Sequence, residues 1–109
     1  MDDIPSVDVE QLRDMLNTQK PPYILDVREK WEYDFCKIPG STLMPLGTLA
    51  DDYINLPKDR PIVVHCHHGG RSAKAVAFLH QQGYSNAFNL KGGIHLWSER
   101  IDRSVKTYE

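Results

Sequence analysis

Apolar residues return along this chain in two rhythms, and their alternation predicts the architecture. Val9, Leu12, Met15 and Leu16 recur at the three- and four-residue spacing of a buried helix face, predicting a first helix over residues 8–18. Ser6 and Asp8 are both candidate caps, with Gln11 three residues after Asp8 in a capping-box position. Lys20-Pro21-Pro22 breaks the helix. Tyr23-Ile24-Leu25-Asp26-Val27 is then a short, mostly apolar run, of the kind covered on both faces in a parallel sheet. A short helix is expected over 29–35, a turn at Ile38-Pro39-Gly40-Ser41 and a short strand over 42–44. A helix over 46–56 is weakened by Gly47. Ile62 to His65 is a strand, and residues 71–82 form the best-patterned helix, with Ala75, Val76, Phe78 and Leu79 on its apolar side and Gly83 ending it. A last strand over 86–90 and a last helix over 94–101 follow. Strands alternating with helices predict one α/β domain over 1–109, with a mainly parallel sheet and right-handed crossovers.

The chemistry concentrates where the 62–65 strand ends, in Cys66-His67-His68-Gly69-Gly70-Arg71-Ser72. The order strand, loop, helix places a thiol at the carboxyl end of a strand, where ligands of such folds bind, and opposite the amino end of a helix. Unpaired N–H groups and the helix dipole there favour negative charge, so Cys66 is expected to be a nucleophile rather than a buried packing thiol. Gly69 and Gly70 can both adopt positive φ and let the loop curl its amides inward. Arg71 sits in a first helical turn, which disfavours a cation; its charge and planar fork point to an anionic substrate. Ser72 could donate to the loop but is better suited to cap the helix. His67 and His68 could serve as a general base on the thiol, or simply line a pocket mouth.

Other residues bear on the site. Asp26 and Arg28 flank Val27 at the end of a strand, so they belong to the same sheet edge; they could brace the active loop, brace each other, or form a surface ion pair. Cys36 is expected to pack, the alternative being that it resolves an oxidised Cys66. His65, His67 and His68, with His80, His95 and Cys36, raise the question of a metal. Adjacent strand residues point to opposite faces, and the usual zinc spacings are missing, so no metal ligands are expected. The net charge of −2 favours neither nucleic acid nor an acidic membrane surface. No segment is long and apolar enough to span a bilayer, and Met1-Asp2-Asp3-Ile4-Pro5 is unlike a secretory signal. Two cysteines make no disulfide framework, and a cytoplasmic setting with reduced thiols is expected.

Taken together, Asp26-Val27-Arg28, Glu32-Tyr33, Ile38-Pro39-Gly40, the Cys66–Ser72 loop and Gly92-Gly93-Ile94 with Trp97 resemble the rhodanese (sulfurtransferase) family over nearly the whole chain. The resemblance implies a three-layer domain, with a mostly parallel five-stranded sheet between helices. It also implies a cysteine, Cys66, that carries sulfane sulfur as a persulfide cradled by the amides from His67 through Arg71. Thiosulfate or a small persulfide would be the donor and a thiol or cyanide the acceptor, with no metal or organic cofactor. Cys36, Lys37 and Ser41 stand where the family often has Gly, His and Ala. The run Trp97-Ser98-Glu99-Arg100-Ile101-Asp102, with Tyr108, is similar to rhodanese domains appended to activating enzymes of sulfur carriers, so a sulfur-carrier protein is a further possible acceptor. Two rivals share the fold. A phosphatase or arsenate reductase has its arginine six residues after the cysteine, against five here, and a non-catalytic binding module commonly lacks the cysteine.

Overall fold

Alternate residues of the central strands feed two separate cores, one on each face of a parallel sheet. In the computed structural model, which describes residues 4–108, five strands are parallel: β1 (Ser6–Val7), β2 (Tyr23–Asp26), β3 (Thr42–Leu43), β4 (Ile62–His65) and β5 (Ala87–Leu90). The acidic start Met1-Asp2-Asp3 lies outside the described residues. The strands lie in the order β1-β5-β4-β2-β3. On one face, Leu25, Ile62, Val64 and Ala87 pack with Ala75, Val76 and Leu79 of α4 (Gly70–Gln81) and with Leu49 and Leu56. On the other, Ile24, Val63 and Leu90 pack with Val9 and Leu12 of α1 (Val9–Leu16) and with Ile94 and Trp97 of α5 (Gly93–Arg100). The side-chain period of two divides each strand between the layers, so β4 is buried throughout.

β1 is the strand that the hydrophobic pattern does not reveal. It holds two residues between Pro5 and Asp8, too short for alternation to register, and backbone pairing defines it: Asn89 N donates to Pro5 O at 2.8 Å and Lys91 N to Val7 O at 2.9 Å. Ser6 is therefore a strand residue, and Asp8 is the cap. Its carboxylate accepts from Gln11 N at 2.7 Å while Gln11 Oε1 accepts from Asp8 N at 2.8 Å, the reciprocal capping box.

The helix expected over 46–56 is broken into a 3₁₀ turn (Leu46–Thr48), a single α-turn α3 (Leu49–Asp52) and a second 3₁₀ turn (Tyr53–Asn55). Gly47 weakens the start, and Pro57 forces Leu56 out of the helical region, to φ −80°, ψ 147°. Tyr84 Oη donates to Tyr53 O at 3.0 Å, so a side chain takes up a carbonyl that a continuing helix would have used.

The strand order reverses between β2 and β4: β2 connects to β3 on one side, and β4 connects to β5 on the other. Such a switch opens a crevice beyond the carboxyl ends of the strands. Cys66, which follows β4, and Asp26, which ends β2, both lie at this edge, with Asp26 in register with His65.

Asp8→Ala removes the box and should cost about 0.5–2 kcal/mol of unfolding free energy. Ser6→Ala should cost less than Asp8→Ala, since the Ser6 hydroxyl serves only the nearby Ile4 carbonyl. Urea denaturation of the two variants checks the order.

Candidate active site

The Cys66 thiol is 2% exposed and sits at the floor of a loop that turns its amides inward. Gly69 N donates to Sγ at 3.1 Å and Ser72 N at 3.4 Å, and Ser72 Oγ lies 3.4 Å from the same sulfur. The amides of Gly70 and Arg71 belong to the first turn of α4, where the helix itself supplies no acceptor. Several N–H dipoles thus favour negative charge at one point, on or beside the sulfur.

Gly69 caps α4 at φ +122°, a conformation other residues rarely adopt. Gly70 does not share it: it is the first residue of α4, and a Cβ added there would meet nothing within 4 Å. The glycine that matters equally lies elsewhere. Gly93, at φ +61°, opens α5 so close beneath the loop that a Cβ would lie 2.4 Å from His67 O and 2.5 Å from Cys66 O. Ile94 N donates to Cys66 O at 3.0 Å and His95 N to His67 O at 3.2 Å, so the amino end of α5 holds the loop backbone from below.

Ser72 is not the cap. It occupies the third position of α4, where its hydroxyl reaches Gly69 O at 3.2 Å and Asn89 Oδ1 at 2.5 Å. Asn89, on β5, has its amide nitrogen 3.5 Å from Gly69 O. The signal for Asn89 is visible in the sequence: a polar residue inside the apolar strand Ala87–Leu90 must find a partner when buried.

Asp26 and Arg28 brace each other, and neither is on the surface: both are 0% exposed. Arg28 Nε and Nη2 donate to the Asp26 carboxylate at 2.9 and 2.7 Å. Nη2 also donates to Cys36 O at 2.6 Å, while Nη1 meets Tyr108 Oη at 3.1 Å and Cys36 Sγ at 3.7 Å. Burial alone would lower the Arg28 pKa, but the bonds to Asp26 and Tyr108 outweigh it and raise it. His65 Nε2 lies 3.6 Å from Asp26; burial, with Arg28 adding to it, lowers the His65 pKa and keeps the imidazole neutral. Cys36 belongs to the core opposite that of Cys66, consistent with a packing thiol.

The Arg71 fork, expected to face a substrate anion, is occupied. It makes two parallel hydrogen bonds to Glu32 of α2 (Lys30–Phe35), at 2.6 and 2.8 Å. Glu32 also accepts from Glu29 N at 2.9 Å and from Tyr108 Oη at 2.5 Å. Arg71 and these donors pull the buried Glu32 carboxyl down to about 2. Glu32 in turn raises the Arg71 pKa, and burial with the Glu32 bond pushes Tyr108 up to about 12. Glu32 and Tyr108 figure in the sequence only as parts of the family resemblance, with no role assigned; Tyr108 lies in the tail after α5 and reaches the site by a turn that buries Val105. His67 stacks on Tyr108 at 4.1 Å and on His68 at 4.0 Å, and His95 stands beside both imidazoles.

A buried cysteine met by the Gly69 and Ser72 amides lies at the switch point of an all-parallel α/β sheet. The chain belongs to the rhodanese-like domain family, whose model matches residues 8–100. It is 38% identical over 103 residues to the adenylyltransferase and sulfurtransferase uba4 of Ogataea parapolymorpha, covering 94% of this chain and 25% of that protein. The chain thus spans about a quarter of the length of such relatives. It is also 35% identical over 92 residues to a sulfurtransferase of Allochromatium vinosum, covering 84% of this chain and 86% of that one. The crystal structure of a rhodanese-related protein from Thermoplasma volcanium superposes with a TM-score of 0.81 at 35% identity, covering 89% of this chain and 93% of that one. No helix among the described residues is long and apolar enough to cross a membrane.

Two predictions follow the geometry. Gly93→Ala adds left-handed strain and a backbone clash and should cost about 2–5 kcal/mol, whereas Gly70→Ala should stay within about 1 kcal/mol and lean stabilising. Chemical denaturation separates them. Because the folded Glu32 value of about 2 lies below its ordinary 4.5, its contribution is complete above 4.5 and lost as pH falls toward 2. The stability gap between wild type and Glu32→Gln should therefore be constant at neutral pH and close on acidification through that window, measured by urea melts at stepped pH.

Proposed function

We propose that the protein is a sulfurtransferase that carries sulfane sulfur on Cys66. The observation that carries this reading is the convergence of the Gly69 and Ser72 amides on one sulfur atom, inside a loop with only five residues from cysteine to arginine. Family membership and relatives named sulfurtransferase support it.

In the proposed cycle the Cys66 thiolate attacks the outer sulfur of thiosulfate. A new S–S bond forms, the donor's S–S bond breaks, and sulfite leaves with the electron pair. The terminal sulfur of the Cys66 persulfide is then anionic and would be received by the loop amides from His67 through Arg71, as an oxyanion hole receives oxygen, a role supported by the Gly69 and Ser72 amides already aimed at Sγ. A thiophilic acceptor, cyanide or a thiolate, attacks that sulfur, and the Cys66 thiolate is the leaving group. The cycle is ping-pong and regenerates the starting state. The side chains of Arg71, Asp26 and Arg28 act in positioning, holding the loop whose backbone amides meet the transferred sulfur, while the Ser72 hydroxyl lies 3.4 Å from Cys66 Sγ.

The same details weigh against the rivals. A phosphatase clamps a tetrahedral oxyanion with a free guanidinium, and here both arms of Arg71 are given to Glu32. A non-catalytic module has no use for a buried, amide-solvated thiol. A sulfur-carrier protein as acceptor is supported by the relative that joins adenylyltransferase and sulfurtransferase in one name, and by Trp31 and Phe35, 61% and 46% exposed and edge-on to Tyr108.

Steady-state turnover of thiosulfate and cyanide to thiocyanate tests the reading. Cys66→Ser should fall to background while remaining folded, and Cys36→Ser should keep most turnover. Wild type should hydrolyse an aryl phosphate negligibly. Thiocyanate formation by Cys66→Ser, or robust phosphatase activity, would overturn the assignment.

A further inference from the structure

Three imidazoles gather beside the nucleophile loop, and no step of the sulfur-transfer cycle requires them as a set. The rule that adjacent strand residues face opposite ways does not separate His67 from His68, which are not on a strand. They lie instead in the loop beyond β4, with rings stacked at 4.0 Å. His95 of α5 completes the group, its ring centroid 5.0 Å from that of His68 and 5.7 Å from that of His67. One ligand nitrogen from each of the three lies within 4.8 Å of the others.

The environment of His95 makes the arrangement more than a crowd of rings. Its Nε2 is 3.1 Å from Glu99 Oε2, one helical turn along α5. A carboxylate only accepts, so in the neutral ring its place beside Nε2 favours the tautomer with the hydrogen there and the lone pair on Nδ1. Nδ1 is buried and has no hydrogen-bond partner. A histidine held by a carboxylate through one nitrogen, with the other presented bare, is the arrangement that orients imidazole toward a metal. A buried acceptor left without a donor costs free energy that a cation in the cluster would recover.

We propose that His67, His68 and His95 form a binding site for a borderline divalent cation of the zinc class, oriented by Glu99. Imidazole donors favour Zn²⁺, Co²⁺, Ni²⁺ and Cu²⁺ over the oxygen-seeking Mg²⁺ and Ca²⁺. Tetrahedral coordination with bonds of about 2.0–2.1 Å sets the nitrogens roughly 3.4 Å apart, so the cluster contracts on binding. His68 is exposed and free to make that movement, whereas the Tyr108 stack holds His67 and the Glu99 contact holds His95. Three protein ligands leave a fourth position for water or a small anion. His67 and His68 directly follow Cys66, so an occupied site places a thiophilic ion at the rim of the sulfur loop. The cation is then a ligand that modulates the loop, not a participant in sulfur transfer.

Calorimetric titration of untagged protein with Zn²⁺, in chelator-treated buffer at neutral pH, tests the site without reference to activity. Cys66→Ser serves as the background, so that the thiol cannot be the ligand. That protein should bind a single equivalent, Co²⁺ should give the visible absorption of a four-coordinate ion, and Mg²⁺ should give no heat. His95→Ala and the more conservative His95→Gln should both lose saturable binding, with unchanged circular dichroism showing that the fold persists. Glu99→Gln should weaken binding about 10- to 100-fold. Equal Zn²⁺ affinity in folded His95→Gln would overturn the proposal. So would the absence of saturable binding in Cys66→Ser, whether or not wild type binds the ion through its thiol.

Discussion

The site depends on an ion pair that has no contact with water. Asp26 and Arg28 are fully buried where β2 meets the crevice. Stripping two charges of their hydration costs several kcal/mol per ion and is recovered only if every polar group finds a partner. Here it does. The five N–H bonds of Arg28 face the Asp26 carboxylate, the Cys36 carbonyl and sulfur, and the Tyr108 hydroxyl. The pair therefore ties together the end of β2, the end of α2 and the carboxyl-terminal tail. Through Tyr108 it reaches Glu32, and through Glu32 it reaches Arg71 at the start of α4. Opposite charges alternate along this path, so no ion on it is uncompensated.

That network fixes the loop from one side, and α5 fixes it from the other. Gly93 permits a backbone approach that any side chain would block, and two amides of α5 grip the carbonyls of Cys66 and His67. A loop held at both ends can keep its amides aimed at sulfur without rearranging when charge develops there, which is the preorganisation that electrostatic stabilisation requires. In this account the charged side chains keep the loop's shape and the backbone does the recognition.

Much of this was legible in the chain itself. Helical spacing in α1, α4 and α5 and the apolar runs of β2 and β4 placed these elements to within a residue or two, because burial on a defined face imposes a period. The position of Cys66 was legible for a related reason, since a cysteine between an apolar strand and a glycine-rich helix start has one location in a parallel sheet. What escaped was set by tertiary contact. β1 is two residues of backbone pairing with no period to detect. The 46–56 segment has helical spacing, but a glycine, a following proline and a tyrosine hydroxyl from across the fold break it. The partner of Arg71 lies on α2 and the stack on His67 comes from the tail, and no local pattern joins those segments. The convergence of His67, His68 and His95 escaped for the same reason, because His95 arrives from a different element.

The central claim is that Cys66 itself becomes the sulfur carrier. Intact mass after brief exposure to thiosulfate, followed by peptide mapping and then cyanide, tests it most directly. The account predicts a gain of a single sulfur atom on the peptide containing Cys66, removed by cyanide with release of thiocyanate. Folded protein that gains no sulfur, or that carries it on Cys36, would contradict it.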